Sequence, residues 1–468
     1  MLASLDAQEH LSAGQWKLIT AATFGIVLEF LDYFLIGFIL AFVIGPWHLG
    51  LWQSSTILLS SGVGSMIGAT LFGWLADKVG RRRIFLTTVT IFTLSTGALI
   101  FTPDSIEYGW LYLTAFRFLI GFGAGGLYCV DLPLVQEFVP SRMRGLVSGM
   151  VTSAVPIGFL LGSGLVAFVA PLIGWRGLMV ICVLLGLVTL LIRAWIPESP
   201  RWLLDNGRGE EARRSIAWAT GLPVKSLAFA PQAAVVNPPA FRDLFRYPRS
   251  VAVSWITNLG MQTGYYGLTL WSPVMIVQFL KVPPSRAAFY MIFVTLSAFA
   301  GRVTLSLLSE VIGRRATGML ASFAATAVLL LASWFGDQLL GATFLLLGLL
   351  IVAYFFGEGG FAIVGPYSAE VWPTQLRAMG MGSAYGFGGI GKIVGPMGLA
   401  IIAGSSASGG AAAIGVRSAF MYFAIWYVLC GVAYLLLGME TKGQSIEAIS
   451  ARLDQGRARR AAAGHANS

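Results

Sequence analysis

Charge is what this chain has least of. Only 11% of its 468 residues are Asp, Glu, Lys or Arg, against roughly 25% in a soluble domain. Lipid is the solvent this balance fits. Strict alternation of apolar and polar residues is also missing, which argues against a β-barrel. Helices are then the spanning structure that satisfies its own backbone. Cysteine is scarce: Cys129, Cys182 and Cys430 fall inside apolar runs at no metal-ligand spacing. Neither a disulfide framework nor a metal centre is expected, and these side chains read as helix packing. Histidine is as rare. His10, His48 and His465 lie in the N-terminal segment, an outside loop and the tail, with no nucleophile beside them, so enzymatic chemistry has no support. No cleavable leader is expected, because residues 1–16 are short and polar and the first apolar run is too long for one.

Hydrophobic sequence is what remains. It makes up 56% of the chain, in runs of about 20 residues, the length that crosses a hydrocarbon core of ~30 Å. Helices are predicted at 17–46, 54–76, 84–103, 109–139, 145–171, 176–196, 249–280, 287–311, 317–336, 341–372, 377–404 and 416–438. The fold class is therefore an all-α membrane protein of twelve transmembrane helices.

The basic residues report topology. With the N-terminus inside, one set of loops holds Lys78, Arg81, Arg82, Arg83, Arg142, Arg144, Arg201, Arg208, Arg213, Arg214, Arg242, Arg246, Arg249, Arg314, Arg315 and Arg377. The tail adds Arg457, Arg459 and Arg460. The opposite loops hold only Arg176, Lys281, Arg286 and Arg417. This asymmetry puts both termini in the cytoplasm. The net charge of +10 thus speaks for a bilayer partner and not for nucleic acid.

One long polar segment divides the chain. Four parts follow: a six-helix bundle over 1–196, a cytoplasmic loop over 197–248, a second bundle over 249–438, and a tail over 439–468. The loop contains Asn206-Gly207, Pro231, Pro238 and Pro239, with one amphipathic helix expected near Gly209–Thr220. The halves repeat. A single offset carries Asp77 onto Glu310, Gly80-Arg81 onto Gly313-Arg314, Pro133 onto Pro366, Glu137 onto Glu370 and Arg144 onto Arg377. Parallel repeats of this kind place a substrate site near mid-membrane between the halves.

The run Gly73-Trp74-Leu75-Ala76-Asp77-Lys78-Val79-Gly80-Arg81-Arg82-Arg83-Ile84 resembles the loop signature of the major facilitator superfamily. Pro197-Glu198-Ser199-Pro200-Arg201-Trp202 and Glu440-Thr441-Lys442-Gly443 resemble the ends of the two halves in sugar porters and related metabolite:proton symporters. Glu29-Phe30-Leu31-Asp32, followed by Ile36-Gly37-Phe38, is similar to the first helix of aromatic-acid:proton symporters, with Glu for the first Asp and Phe for a Gly. The resemblance implies secondary active transport by alternating access. It also implies that the Gly73–Arg83 loop steadies one of the alternating conformations.

Ionisable groups inside a membrane helix cost at least ~2.5 kcal/mol each, so each is a functional candidate. Glu29, Asp32, Arg117, Glu358 and Lys392 share a central slab. In the superfamily, the first, fourth, seventh and tenth helices line the cavity. Asp32 is the expected coupling carboxylate, with Glu29 second. Glu358 is either another proton site or a partner of Lys392. Arg117 opens an Arg-x-x-x-Gly-x-Gly run with Gly121 and Gly123, which resembles a proton-coupled motif whose arginine pairs with the acid of the first helix. A static ion pair is the alternative. Arg117 and Lys392 are the cations available to an anionic substrate, Arg as a planar fork and Lys as a point charge. Asn258, Gln262, Tyr265 and Tyr266, with Tyr385, are the polar and aromatic groups that suit a small ligand. Gln262 and Tyr265 stand at the repeat positions of Glu29 and Asp32. A gate network is expected from Gly73, Asp77, Gly80, Arg81, Asp131, Glu137, Arg144, Arg302, Glu310, Arg314, Glu370 and Arg377.

The expected function is proton-coupled symport of a small organic anion, with no cofactor besides the proton, by a monomer in the cell's inner membrane. A sugar or polyol symporter is the alternative. Drug efflux is disfavoured, because Thr152-Ser153-Ala154-Val155-Pro156-Ile157-Gly158 lacks the Gly-Pro pair of such antiporters.

Overall fold

The computed structural model describes residues 2–105, 107–227, 240–404, 415–442 and 449. The expectations placed on Pro231, Pro238, Pro239, Gly443, Arg457, Arg459, Arg460 and His465, and on the side chains of Asp77 and Cys129, fall outside the described residues. Described residues form helices and connecting turns, without strands.

The chain divides into two compact units, Met1–Leu49 with Thr56–Ala234, and Gly50–Ser55 with Val235–Ser468. In the first half, α1 is Ala13–Val43, α2 Leu51–Val79, α3 Arg81–Ala98 and α4 Gly109–Phe138. Next come α5, in the pieces Arg144–Thr152 and Val155–Gly164, and α6, Ala170–Ala194. In the second half, α7 is Pro248–Leu280, α8 Pro284–Ile312, α9 Arg314–Phe335 and α10 Thr343–Glu370. It ends with α11, in the pieces Arg377–Gly389 and Gly391–Gly404, and α12, Val416–Leu437. These twelve segments follow the order the apolar runs predict.

Among the described residues, eight helical stretches, one of them running over Val147–Ala194, are long and apolar enough to cross a membrane. Helix α11 is not among them because it breaks in two, and α7 carries the polar side chains described below. Three local features depart from the smooth helices expected. The break in α5 falls just before Pro156, which sits in the first turn of the second piece, where a missing N–H costs nothing. Gly174, at φ 70°, turns the chain inside the Ala170–Ala194 element. Helix α11 is interrupted at Ile390, between two glycines.

Outside the spans, a helix forms at Gly209–Thr220, as its amphipathic pattern predicts. Glu210 and Glu211 stand in its first turn and Gly221 closes it in a left-handed conformation. It buries Ala212, Ile216 and Ala219, and Trp218 packs edge-on against Phe138 at the end of α4, 6.0 Å between ring centres.

Candidate functional site

The turn after α2 must reverse the chain within one residue. Gly80 does so at φ 111°, and Gly313 repeats it after α8 at φ 99°. Each turn exposes the N-terminus of the next helix, where amide hydrogens have no partner. In the first half Glu198 accepts from the backbone N–H of Arg81 and Arg82, both at 3.0 Å. In the second, Glu440 accepts from Arg314 and Arg315 at 2.9 and 3.2 Å. The carboxylates of the two loop signatures are thus caps on the helices that follow the glycine turns. An anion there also complements the helix dipole.

Around each cap a second layer forms. Arg81 pairs with Glu137 at 2.5 Å, and Ser199 donates to the same carboxylate. Arg314 pairs with Glu310 at 2.8 Å and Glu370 at 3.3 Å, while Thr441 donates to Glu370 at 2.5 Å. Arg144 donates to the Gln136 carbonyl at 2.8 Å. Arg377 is not joined to Glu370: its Nε and Nη2 have no hydrogen-bond partner among the described residues. The Cα of Gly73 faces open space.

Two residues expected in this network lie elsewhere. Asp131 stands two turns before the end of α4 and forms a buried ion pair with Arg193 of α6. Depth removes it from the surface latch. Arg193, which the sequence analysis missed, also lies over the Phe85 ring at 4.0 Å. The other is Arg302, which leaves the gate because α8 turns it onto α10, where it pairs with Glu358. Glu358's ion-pair partner is therefore Arg302 and not Lys392. Tyr265 lies within electrostatic reach of the same carboxylate.

Mid-membrane in the first unit, Asp32 and Arg117 are both fully buried and bonded at 2.8 Å. Arg117 also donates through Nε to Ser61 at 3.1 Å and through Nη1 to the Asp32 carbonyl at 3.3 Å. Gly121, one turn further along α4, lies against the Ser61 backbone, where any Cβ would collide. That close approach is what lets Ser61 reach the guanidinium. Asp32 Oδ1 and Arg117 Nη2 have no hydrogen-bond partner among the described residues, so each retains one unused bond. Glu29 is nearly buried one turn earlier on α1.

In the second unit, α7 and α11 hold a different centre. The Lys392 ammonium lies 5.0 Å from the Tyr266 ring centre and 5.9 Å from that of Tyr385. Phe361 of α10 packs edge-on against Tyr265 and Tyr266, at 5.3 and 6.2 Å. Gln262 donates to the Tyr385 carbonyl at 3.4 Å, and its Oε1 has no hydrogen-bond partner among the described residues. Asn258 is committed differently. Its amide donates to Ser254 and, at 2.7 Å, to Ser368 of α10, so it ties two helices together. Among the described residues no group of three or more His, Cys, Asp or Glu could hold a metal ion.

Twelve spans in two repeated halves, glycine turns capped by glutamates and charge pairs in the helix interiors define a membrane transporter of the major facilitator fold. The chain belongs to the sugar (and other) transporter family, which it matches over residues 18–453. The niacin transporter of Acinetobacter baylyi is 30% identical over 449 residues, 94% of this chain and 98% of that protein. A putative niacin/nicotinamide transporter of Bacillus subtilis is 28% identical over 437 residues, 92% of this chain and 98% of that one. In fold, the chain is similar to the xylose transporter of E. coli in a partially occluded inward-open conformation. That likeness has a TM-score of 0.70 at 18% identity, covering 93% of this chain and 100% of the other.

Proposed function

We propose that this transporter carries a small aromatic monocarboxylate together with a proton. The observation that carries the proposal is the Lys392 ammonium framed by the faces of Tyr266 and Tyr385. A ring bearing one carboxylate satisfies both parts: the charge meets Lys392 and the flat apolar ring stacks on the tyrosines. A neutral sugar has no use for that cation. The niacin transporters among the relatives support the same chemistry.

Asp32 is the coupling carboxylate. Its ionised form is held by Arg117 at 2.8 Å. Protonation removes the attraction and frees the guanidinium, so proton binding and rearrangement of the first unit are one event. The protein works as a monomer in the inner membrane with both termini in the cytoplasm, the orientation that the arginine-rich loops favour.

A sugar remains the second candidate. The unused Oε1 of Gln262 is an acceptor for a hydroxyl donor, and the family takes sugars among other substrates.

Thermal shift in the presence of nicotinate, nicotinamide or xylose decides between them. A ligand specific for the folded state stabilises it by ~2.7 kcal/mol at a hundredfold excess over Kd. Nicotinate is expected to stabilise the protein more at low pH and nicotinamide far less. Stabilisation by xylose alone overturns the carboxylate assignment.

A further inference from the structure

Where α6 leaves the membrane, an apolar surface runs into a basic one. Leu184, Leu187, Val188, Leu191 and Ile192 are exposed, and Trp195, just past the last turn, is 86% exposed. Spacings of three and four residues put all six on one face of the helix. Thr189 and Arg193 lie on the opposite face and are buried. Such a stripe suits lipid chains, and a tryptophan at its end suits the level of the headgroups.

Trp195 is also a wall of a cavity of about 470 Å³, within the roughly 300–1,000 Å³ of small-molecule sites. Arg82 and Arg83 of α3 line it, with Glu198 after α6, and with Arg208, Glu211 and Arg214 at the helix Gly209–Thr220. Four arginines against two glutamates leave the cavity two positive charges in excess. Both carboxylates are already committed. Glu198 caps α3 through the amides of Arg81 and Arg82, and Arg208 donates to Glu211 at 2.8 and 2.6 Å. Arg82 donates through Nη2 to the Ala194 carbonyl, and its buried Nε has no hydrogen-bond partner among the described residues. The side chains of Arg83 and Arg214 are exposed and form no hydrogen bond or ion pair among the described residues.

The second half shows that Arg83 is not needed to hold the turn. The offset that aligns the two glycine turns sets Arg82 against Arg315 but Arg83 against Ala316. Arg315 donates to the carbonyls of Tyr434 and Leu435, much as Arg82 does to that of Ala194. The turn and its carbonyl-bound arginine are repeated, and the extra guanidinium is not.

We propose that this cavity binds the headgroup of an anionic phospholipid, its phosphate on Arg83 and Arg214 and an acyl chain along the α6 stripe that ends at Trp195. A phosphodiester offers acceptor oxygens that match guanidinium forks. A soluble phosphate would satisfy the arginines alone and leave the adjoining stripe unused. A phospholipid uses both.

The test places the full chain in nanodiscs holding equal amounts of phosphatidylglycerol and phosphatidylcholine. Native mass spectrometry then counts the lipids it retains. The wild type is expected to keep phosphatidylglycerol in preference. An arginine near the membrane surface contributes about fivefold to the attraction for anionic lipid, so Arg83→Gln/Arg214→Gln should lower that retention by roughly tenfold or more. Arg83→Lys/Arg214→Lys keeps the charge without the fork and should lose less. Arg242→Gln/Arg246→Gln removes the same charge outside the cavity and should change nothing. Indifference of the wild type to the two lipids overturns the site. So does an equal loss in the Arg242/Arg246 pair, which makes the preference a property of diffuse surface charge. Displacement of phosphatidylglycerol by an equal concentration of glycerol phosphate assigns the arginines to a soluble phosphate and overturns the lipid.

Discussion

The two halves agree at their glycine turns and differ in their interiors. Around Gly80 and Gly313 the parts correspond one to one: Arg81 with Arg314, Glu137 with Glu370, Glu198 with Glu440, Ser199 with Thr441. The offset that aligns these turns sets Asp32 against Tyr265, Glu29 against Gln262 and Arg117 against Leu350. It sets Glu358 against Gly125, Arg302 against Ala69 and Lys392 against Phe159. The latch was kept twice because both halves need the same helix start held. The interiors differ in what they hold: one half buries an aspartate–arginine pair, and the other presents a lysine among aromatic rings.

The largest expected effect breaks the interior comparison. Arg117→Ala leaves Asp32 buried and unpaired, which costs about 3–5 kcal/mol, and uptake is lost with it. Arg302→Ala strands Glu358 in the same way. The neutral pairs separate the two. Asp32→Asn/Arg117→Gln recovers most of the thermal stability without recovering pH-driven uptake. Glu358→Gln/Arg302→Gln recovers stability and keeps proton stoichiometry. Equal loss of coupling in both neutral pairs makes Glu358 a second proton site and removes the asymmetry.

Next in size is Lys392→Met. Losing a charged contact to the substrate costs about 1.5–3 kcal/mol, so nicotinate affinity falls tenfold or more while nicotinamide affinity changes little. Calorimetry on both ligands reads the difference directly.

How much of this could be read in advance follows the same divide. The spans were legible because lipid leaves few options: an apolar run of the right length is a helix. Asp32, Arg117, Glu358 and Lys392 were legible as candidates because charge is rare in such runs. Their partners were not. Whether Glu358 meets Arg302 or Lys392 depends on how each helix is rotated about its axis, and a uniformly apolar span carries little periodicity to fix that angle. Arg193 was missed because it sits in the last turn of α6, beside loops already rich in arginine, where one more reads as topology. The caps at Glu198 and Glu440 join residues more than a hundred positions apart, and nothing local in either motif announces its partner.

Smaller effects sharpen the latch. Gly80→Ala and Gly313→Ala force a side chain into a positive-φ, extended-ψ backbone that is essentially confined to glycine, about 1–3 kcal/mol each. Each new Cβ also meets the capping glutamate. The two losses of melting temperature should be similar. A marked difference shows that one half depends on its turn more than the other.

The smallest effect tests which members of the latch matter. Glu310 pairs with Arg314 at 2.8 Å, but its side chain is 65% exposed, whereas that of Glu370 is 27% exposed. An exposed pair one helical turn apart is worth about 0.3–0.5 kcal/mol. Glu370 holds Arg314 and also accepts from Thr441, and Arg314 is one of the two residues whose amides Glu440 caps. Glu310→Ala should therefore leave the melting temperature nearly unchanged and be insensitive to added salt. Glu370→Ala should lower it measurably, and Thr441→Val should reproduce part of that loss. If Glu310→Ala is the more damaging, Arg314 is held from α8, its own side of the turn, and the correspondence between Glu137 and Glu370 is one of position without a shared role.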